Sequence, residues 1–288
     1  MQFFGKSDTG IKRRENQDSF VTEQLYENAV LCLVCDGMGG ANGGKTASEV
    51  TCREFVEQVK KKLPDFYNKK QKAYICEDGD IKKMLQKAVD TANSSVYKKA
   101  NKNEELSGMG TTLVCALIID DLLYIAHIGD SRLYFISDEE LKQITRDHSY
   151  VQTLIDLGQI TPEEASFNPH KNIITRAIGT QKNVEADIIC HKLSDIDAEY
   201  ILLCSDGLTN YADNKTIHSI ITENTSIENA CNLLIDKANE NGGGDNITAV
   251  VIKLDKSNQD LTCDINAKNV DECEKRFENE DCEKRGEF

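Results

Sequence analysis

Four aspartates in this 288-residue chain stand where an apolar, strand-like run begins or ends: Asp36 after VLCLVC, Asp130 after LYIAHIG, Asp206 after YILLCS and Asp245 before NITAVVIKL. Taken singly, an Asp-Gly pair such as Asp36-Gly37 or Asp206-Gly207 is an ordinary turn signal. Four such positions in one chain say more, because the loops at strand ends are where mixed folds place their chemistry. If the four converge, their like charges cannot all stay ionised in a partly buried site without counter-cations. Hard carboxylate oxygens select Mg²⁺, Mn²⁺ or Ca²⁺. Zinc fits poorly, since the five histidines are scattered along the chain. Along a regular strand His127 also faces opposite to Asp130, which makes it a core or supporting residue. The glycines of DGMGGANGG, from Gly37 to Gly44, permit close backbone approach to ions and phosphate and lead into a helix.

The runs that carry these aspartates read as strands: Ala29 to Cys35, Thr112 to Ile119, Leu122 to Ile128, Arg132 to Ile136, Tyr200 to Cys204 and Ile247 to Leu254. Asp120-Asp121 separates two of them as a hairpin turn would. Helical spacing over Gly44 to Lys62 brings Ala47, Val50, Phe55 and Val59 near one face. Over Ile81 to Lys99 the same spacing aligns Met84, Leu85, Ala88, Val89, Ala92 and Val96. Runs of strands and runs of helices, without strict alternation, predict an α+β layered domain. From Lys256 onward apolar residues thin out, and ECEKR recurs approximately as DCEKR. Residues 1–255 are therefore expected to form one domain, and 256–288 a charged tail that is disordered or accessory.

With 34 Lys and Arg against 49 Asp and Glu, the formal charge of -15 argues against nucleic acid or an anionic membrane as partner. The start MQFFGKSDTG lacks the basic and apolar regions of a signal peptide, and no apolar run is long enough to span a bilayer, so a soluble, cytoplasmic protein is expected. Most of the 11 cysteines sit inside apolar runs and read as buried thiols in a reducing compartment. Cys32 and Cys35 form a CxxC, yet within a strand-like run, which favours plain core cysteines over a redox or metal pair.

Several segments together resemble the PP2C-type, or PPM, metal-dependent protein phosphatases, above all the compact bacterial-type members. They are DTGIKRRENQDSF (Asp8 to Phe20), VCDGMGG (Val34 to Gly40), GMGTT (Gly108 to Thr112), HIGDSRLY (His127 to Tyr134), TRDHS (Thr145 to Ser149), NIITRAIG (Asn172 to Gly179), LLCSDGLT (Leu202 to Thr209) and GGGDNITAVV (Gly242 to Val251). They follow the family's order across most of the chain, whereas any one of them would be weak evidence. The resemblance implies a central two-sheet β-sandwich flanked by helices, with two tightly bound Mn²⁺ or Mg²⁺ ions at one end. It implies that Asp36 bridges both ions, that the Gly37 carbonyl binds one, and that Asp206 and Asp245 complete the other. Asp18 contacts the first through water, and Asp130 shares a third, weaker ion with Asp206. Arg13 matches the family's phosphate-binding arginine, and its planar fork suits phosphate oxygens. Arg14 beside it reads as a solvated surface residue.

Two positions depart from the animal members of the family. Gln17 replaces a metal-binding glutamate, leaving Asp18 as the better ligand, and Met38 replaces a histidine thought to act as general acid. The implied activity is hydrolysis of phosphoserine and phosphothreonine monoesters by a metal-activated water, with no covalent phosphoenzyme. Consistent with that, no cysteine lies in a Cys-x₅-Arg arrangement. Residues 147–175, broken up by Gly158, Pro162 and Pro169, resemble the family's flap beside the active site. The implied partners are phosphorylated proteins and an opposing serine/threonine kinase, with the phosphatase acting as a monomer. Retention of Asp36, Asp206, Asp245 and Arg13 argues against a catalytically silent module of the same fold, and a phosphatase of a partner-switching regulator would be expected to carry sensor domains, of which the sequence shows none; a phosphatase of small metabolites stays open, since active-site residues alone do not separate it.

Overall fold

The strands expected from the apolar runs form, and their partners show why those runs lack a polar face. A computed structural model describes residues 1–26 and 28–255, so the expectations for the tail lie outside the described residues. In chain order the strands are β1 (Gln2–Asp8), β2 (Ser19–Tyr26), β3 (Ala29–Cys35), β4 (Gly37–Met38), β5 (Tyr67–Asn68), β6 (Ala73–Tyr74) and β7 (Gly110–Thr111). They continue with β8 (Leu113–Ile119), β9 (Leu122–Ile128), β10 (Arg132–Ile136), β11 (Leu141–Gln143), β12 (Asp187–Lys192), β13 (Tyr200–Cys204) and β14 (Ile247–Lys253). The helices are α1 (Gly40–Lys62), α2 (Asp78–Lys102), α3 (Tyr150–Asp156), α4 (Pro162–Ser166), α5 (Asp206–Thr209), α6 (Asn214–Thr222) and α7 (Ile227–Glu240).

Two antiparallel sheets of five strands, ordered β1-β14-β13-β10-β11 and β12-β9-β8-β3-β2, make the centre of the α+β sandwich. In β3 and β8, Leu31, Leu33, Leu113, Cys115 and Leu117 pack with Phe55, Val59, Leu85 and Val89 of α1 and α2. By the period of two, Cys32, Val34, Val114 and Ala116 point the other way, and they too are buried. On the second sheet Leu202, Cys204, Ala249 and Val251 pack with Leu234 and Ile235 of α7, and β13 and β14 lie against β3 across the sandwich. A strand covered by helices on one face and by a sheet on the other is apolar at every position. Each large aliphatic side chain so enclosed contributes about 1.5–3 kcal/mol.

Cys32 and Cys35 accordingly point to opposite faces, and both are buried free thiols whose pKa burial drives upward. They do not form a redox pair. The hairpin at Asp120-Asp121 pairs Ile119 with Leu122, and Asp120 takes a positive φ of 50°. Helix α2 starts three residues before its apolar stripe, at a first turn whose Asp78 and Asp80 suit the positive end of the helix dipole. Helix α1 starts at Gly40, four residues earlier than the apolar spacing indicates. A β-carbon on Gly37 would collide with the Gly44 carbonyl, so glycine lets the helix start press against that turn.

Candidate metal centre

One end of the sandwich gathers the loops that follow β3, β9 and β13 and precede β14. Asp36, Asp130, Asp206 and Asp245 line a cleft of about 640 Å³ there, together with Arg13, Arg14, Gly37, Met38, Asn172 and Ile174. Asp18 stands just before β2 and lies beneath them, 8% exposed. Each carboxylate is aimed by its own framework. The Asp36 N–H donates to Thr112 Oγ1 (2.9 Å), while its carbonyl accepts from the Thr112 N–H (2.9 Å) and Thr111 Oγ1 (2.8 Å). Asp206 opens α5, where its Oδ2 accepts from Asn210 Nδ2 (3.0 Å). Asp245 Oδ1 accepts from the Asn246 N–H, and its Oδ2 accepts from Arg13 Nη2, both at 2.8 Å. Asp18 Oδ2 accepts from Ser205 Oγ (2.7 Å) and Thr248 Oγ1 (2.6 Å).

Crowding shows in the acidities. Burial, and then the charges of Asp206 and Asp245, push Asp18 up to about 7 against the pull of its two hydroxyl donors. Burial followed by Asp18, Asp206, Asp130 and Asp245 raises Asp36 well above the ordinary carboxylate range. Asp130 rises to about 8 through burial, then Asp206 and Asp147, and burial and Asp245 raise Asp206. Two carboxylate oxygens, Asp18 Oδ1 and Asp206 Oδ1, are buried without a hydrogen-bond partner. Mutually repelling carboxylates with orphaned oxygens, all hard donors, fit a divalent cation of the Mg²⁺ or Mn²⁺ kind. Asp36, Asp130, Asp206 and Asp245 in the cleft and Asp18 beneath it are the carboxylates available to such ions.

Arg13 reaches the same cleft on the segment between β1 and β2. Asn246, buried beneath, accepts from the Gln17 N–H and donates to the carbonyls of Thr9 and Glu15, which fastens that segment to the foot of β14. Arg14 is exposed, as expected of a solvated surface residue, and sits at the rim of the cleft. Gln17 points its Nε2 to the Gly40 carbonyl (3.0 Å). Thr112, Ser205, Asn246 and Thr248 are supporting residues that the sequence motifs contained without revealing a role. Their signal, hydroxyl or amide side chains beside strand-end aspartates, is too common to read alone.

A second grouping of donors, His127, His148 and Asp187, has its ligand atoms within 4.8 Å of one another. His148 Nε2 is already bonded to Asp187 Oδ2 (3.0 Å), and Arg176 occupies Asp187 Oδ1 (2.6 Å). It is a hydrogen-bonded network with a guanidinium at its edge. His127 lies within it, buried, with Nε2 on the Ser131 carbonyl (2.9 Å).

Residues 11–238 match the Protein phosphatase 2C family, and the chain belongs to that family. The serine/threonine phosphatase stp of Listeria monocytogenes is 34% identical over 250 residues, covering 87% of this chain and 94% of the relative. The crystal structure of serine/threonine phosphatase Stp1 from Staphylococcus aureus superposes with a TM-score of 0.79 at 35% identity, covering 88% of this chain and 95% of that one. The catalytic domain of serine threonine protein phosphatase PstP, solved in complex with two manganese ions, gives 0.70 at 34% identity over 87% and 96% of the two chains.

Proposed function

We propose that this protein is a metal-dependent phosphatase of phosphoserine and phosphothreonine in other proteins, acting against a serine/threonine kinase in the cytoplasm as a monomer. The observation that carries the reading is the set of strand-end carboxylates around the orphaned oxygens of Asp18 and Asp206, an arrangement that calls for cations. Relatives named as serine/threonine phosphatases, and one solved with two manganese ions, support it. No helix among the described residues is long and apolar enough to cross a membrane.

In this reading Asp36, the Gly37 carbonyl, Asp206 and Asp245 would hold two Mn²⁺ or Mg²⁺ ions, Asp18 would assist, and Asp130 with Asp206 would hold a third, weaker one. Such ions supply a nucleophilic water near neutral pH and neutralise the phosphoryl charge. The chain's own groups then bind and orient. Arg13, half exposed at the lip, offers its fork to phosphate oxygens once Asp245 is engaged elsewhere. Met38 lines the cleft and has no proton to give, and no cysteine is among the lining residues. Residues 1–255 are the catalytic domain and 256–288 an accessory tail. Hydrolysis of a phosphothreonine peptide with Mn²⁺, with Mg²⁺ and with EDTA tests the reading. Turnover that survives complete removal of metal would overturn it.

A further inference from the structure

Ile11, Lys12, Arg13 and Arg14 are four exposed residues in a row, in a stretch between β1 and β2 that has no regular structure. Hydrogen bonds fix it all the same. The Ile11 and Lys12 N–H groups both donate to the Gly243 carbonyl (2.8 and 3.0 Å). The Gly10 N–H donates to Asp8 Oδ1 (2.8 Å), Asn16 Nδ2 donates to Ser7 Oγ (2.7 Å), and Asn246 Nδ2 donates to the carbonyls of Thr9 (2.9 Å) and Glu15 (3.0 Å). A β-carbon on Gly10, where φ is 75°, would meet the Asp245 carbonyl, so glycine lets the stretch lie against the foot of β14. A loop fastened on both sides of its arginines presents them from a fixed backbone, which lowers the entropy lost when a ligand is held.

The charges along this stretch are not alike. Arg13 is paired with Asp245 (2.8 Å), and Glu15, the acid next to Arg14 in sequence, is held by Lys45 of α1 (3.2 Å). Arg14 lies between these two pairs, at the rim of the same cleft. Among the described residues Arg13, Arg53, Arg132, Arg146 and Arg176 each pair with a carboxylate, and Arg14 is the arginine that does not. Its fork is therefore open to an anion brought by a ligand. Arg13 and Arg14 are adjacent, with Cα atoms about 3.8 Å apart, and an extended peptide advances about 3.3 Å per residue. With Arg13 on the phosphate to be hydrolysed, a side chain within about three residues of it comes within reach of the second fork.

We propose that Arg14 is a specificity residue that recognises a second anionic side chain, a carboxylate or a phosphate, close in sequence to the phosphoserine or phosphothreonine being hydrolysed. This deepens the phosphatase reading given above and rests on it. An ion pair at so exposed a position changes affinity by only about 1.5- to 5-fold, and salt screens it.

The test uses the full chain with Mn²⁺ and phosphothreonine peptides that carry glutamates before the phosphothreonine, glutamates after it, or alanines on both sides. The quantity read is the ratio of kcat/KM for an acidic peptide to that for the neutral one, compared between proteins. Arg14→Ala is expected to lower that ratio about 2- to 5-fold for one flank, through KM more than kcat. Arg14→Glu should lower it further, and Arg14→Lys should stay nearer to wild type. Raising the salt from about 0.05 to 0.5 M should shrink the difference between wild type and Arg14→Ala. A non-hydrolysable phosphonate residue in place of the glutamates separates the two sources: a larger loss than with glutamate assigns the site to a second phosphate, an equal or smaller one to a carboxylate. Lys61→Glu makes the same change of charge at an exposed position about 30 Å along α1 from Gly40. If it shifts the ratio as much as Arg14→Glu does, the effect is one of net charge and the proposal is overturned. A ratio unchanged in Arg14→Ala and Arg14→Glu, with wild type hydrolysing all the peptides, overturns it too and leaves the phosphatase reading standing. If wild type hydrolyses none of them with Mn²⁺, that reading fails and this inference with it.

Discussion

Replacing Asp18 by asparagine should stabilise the metal-free protein, by an amount that grows with pH. Asp18 sits beneath the cleft, and without cations its pKa moves from the ordinary 3.8 up to about 7, chiefly through burial. The folded state therefore favours the neutral acid. The stability that this carboxyl contributes is intact below pH 3.8 and is lost as the pH rises through 7, because the unfolded chain ionises freely and the folded one resists. From pH 5 to the folded pKa is roughly two units, which at about 1.4 kcal/mol each makes about 2 to 3 kcal/mol. An amide keeps an oxygen for Ser205 and Thr248 and has no charge to resist. In EDTA, the melting temperature of Asp18→Asn minus that of wild type should widen by roughly 5 to 10 °C between pH 5 and 8. His127, His148 and His191, held low by burial, gain stability over the same range with the opposite sign. Both proteins carry them, so they cancel in the difference. Saturating Mn²⁺ should invert the order, since the wild-type carboxylate then faces cations. A difference that stays flat or narrows from pH 5 to 8 in EDTA would refute the crowded-carboxylate account.

Other outcomes test single roles. Asp36→Asn should cut turnover by about a thousandfold, the equivalent of several kcal/mol of lost charge stabilisation, while circular dichroism stays native; near-normal turnover at limiting Mn²⁺ would remove Asp36 from the bridging position. Arg13→Ala should raise KM for a phosphopeptide about tenfold with little change in kcat, because a clamp on phosphate acts in ground and transition states alike. An unchanged KM would count against the clamp. A chain ending at Asp255 should keep its melting temperature and its activity on p-nitrophenyl phosphate, since β14 ends at Lys253. Unfolding or inactivity would move the domain boundary into the tail.

Much of this molecule could be read from its sequence because the signals are local. A strand buried on both faces is a continuous apolar run, and the residue that ends it is visible as the first charge. That is how Asp36, Asp130, Asp206 and Asp245 stood out, and why β3, β8, β9, β10, β13 and β14 were found within a residue of their ends. The resemblance to a known family added Asp18, Arg13 and the flap. Strands β1, β2 and β12 escaped, since they lie at sheet edges and their side chains are largely half-buried or exposed. Helices α3 to α7 are short or begin in polar turns, which weakens the periodic signal.

Only the tertiary structure decided which polar groups meet. Asp18 takes its donors from Ser205 and Thr248, 187 and 230 residues away, and its other oxygen is left bare by the same packing. Arg13 finds Asp245 across 232 residues, and His148 finds both Gly129 and Asp187 through a segment that reads as loop. Hydrogen bonding and charge repulsion fall off over a few ångströms, so they depend on which strand ends the sandwich brings together. Hydrophobic periodicity is carried by neighbours in the chain and needs no such knowledge.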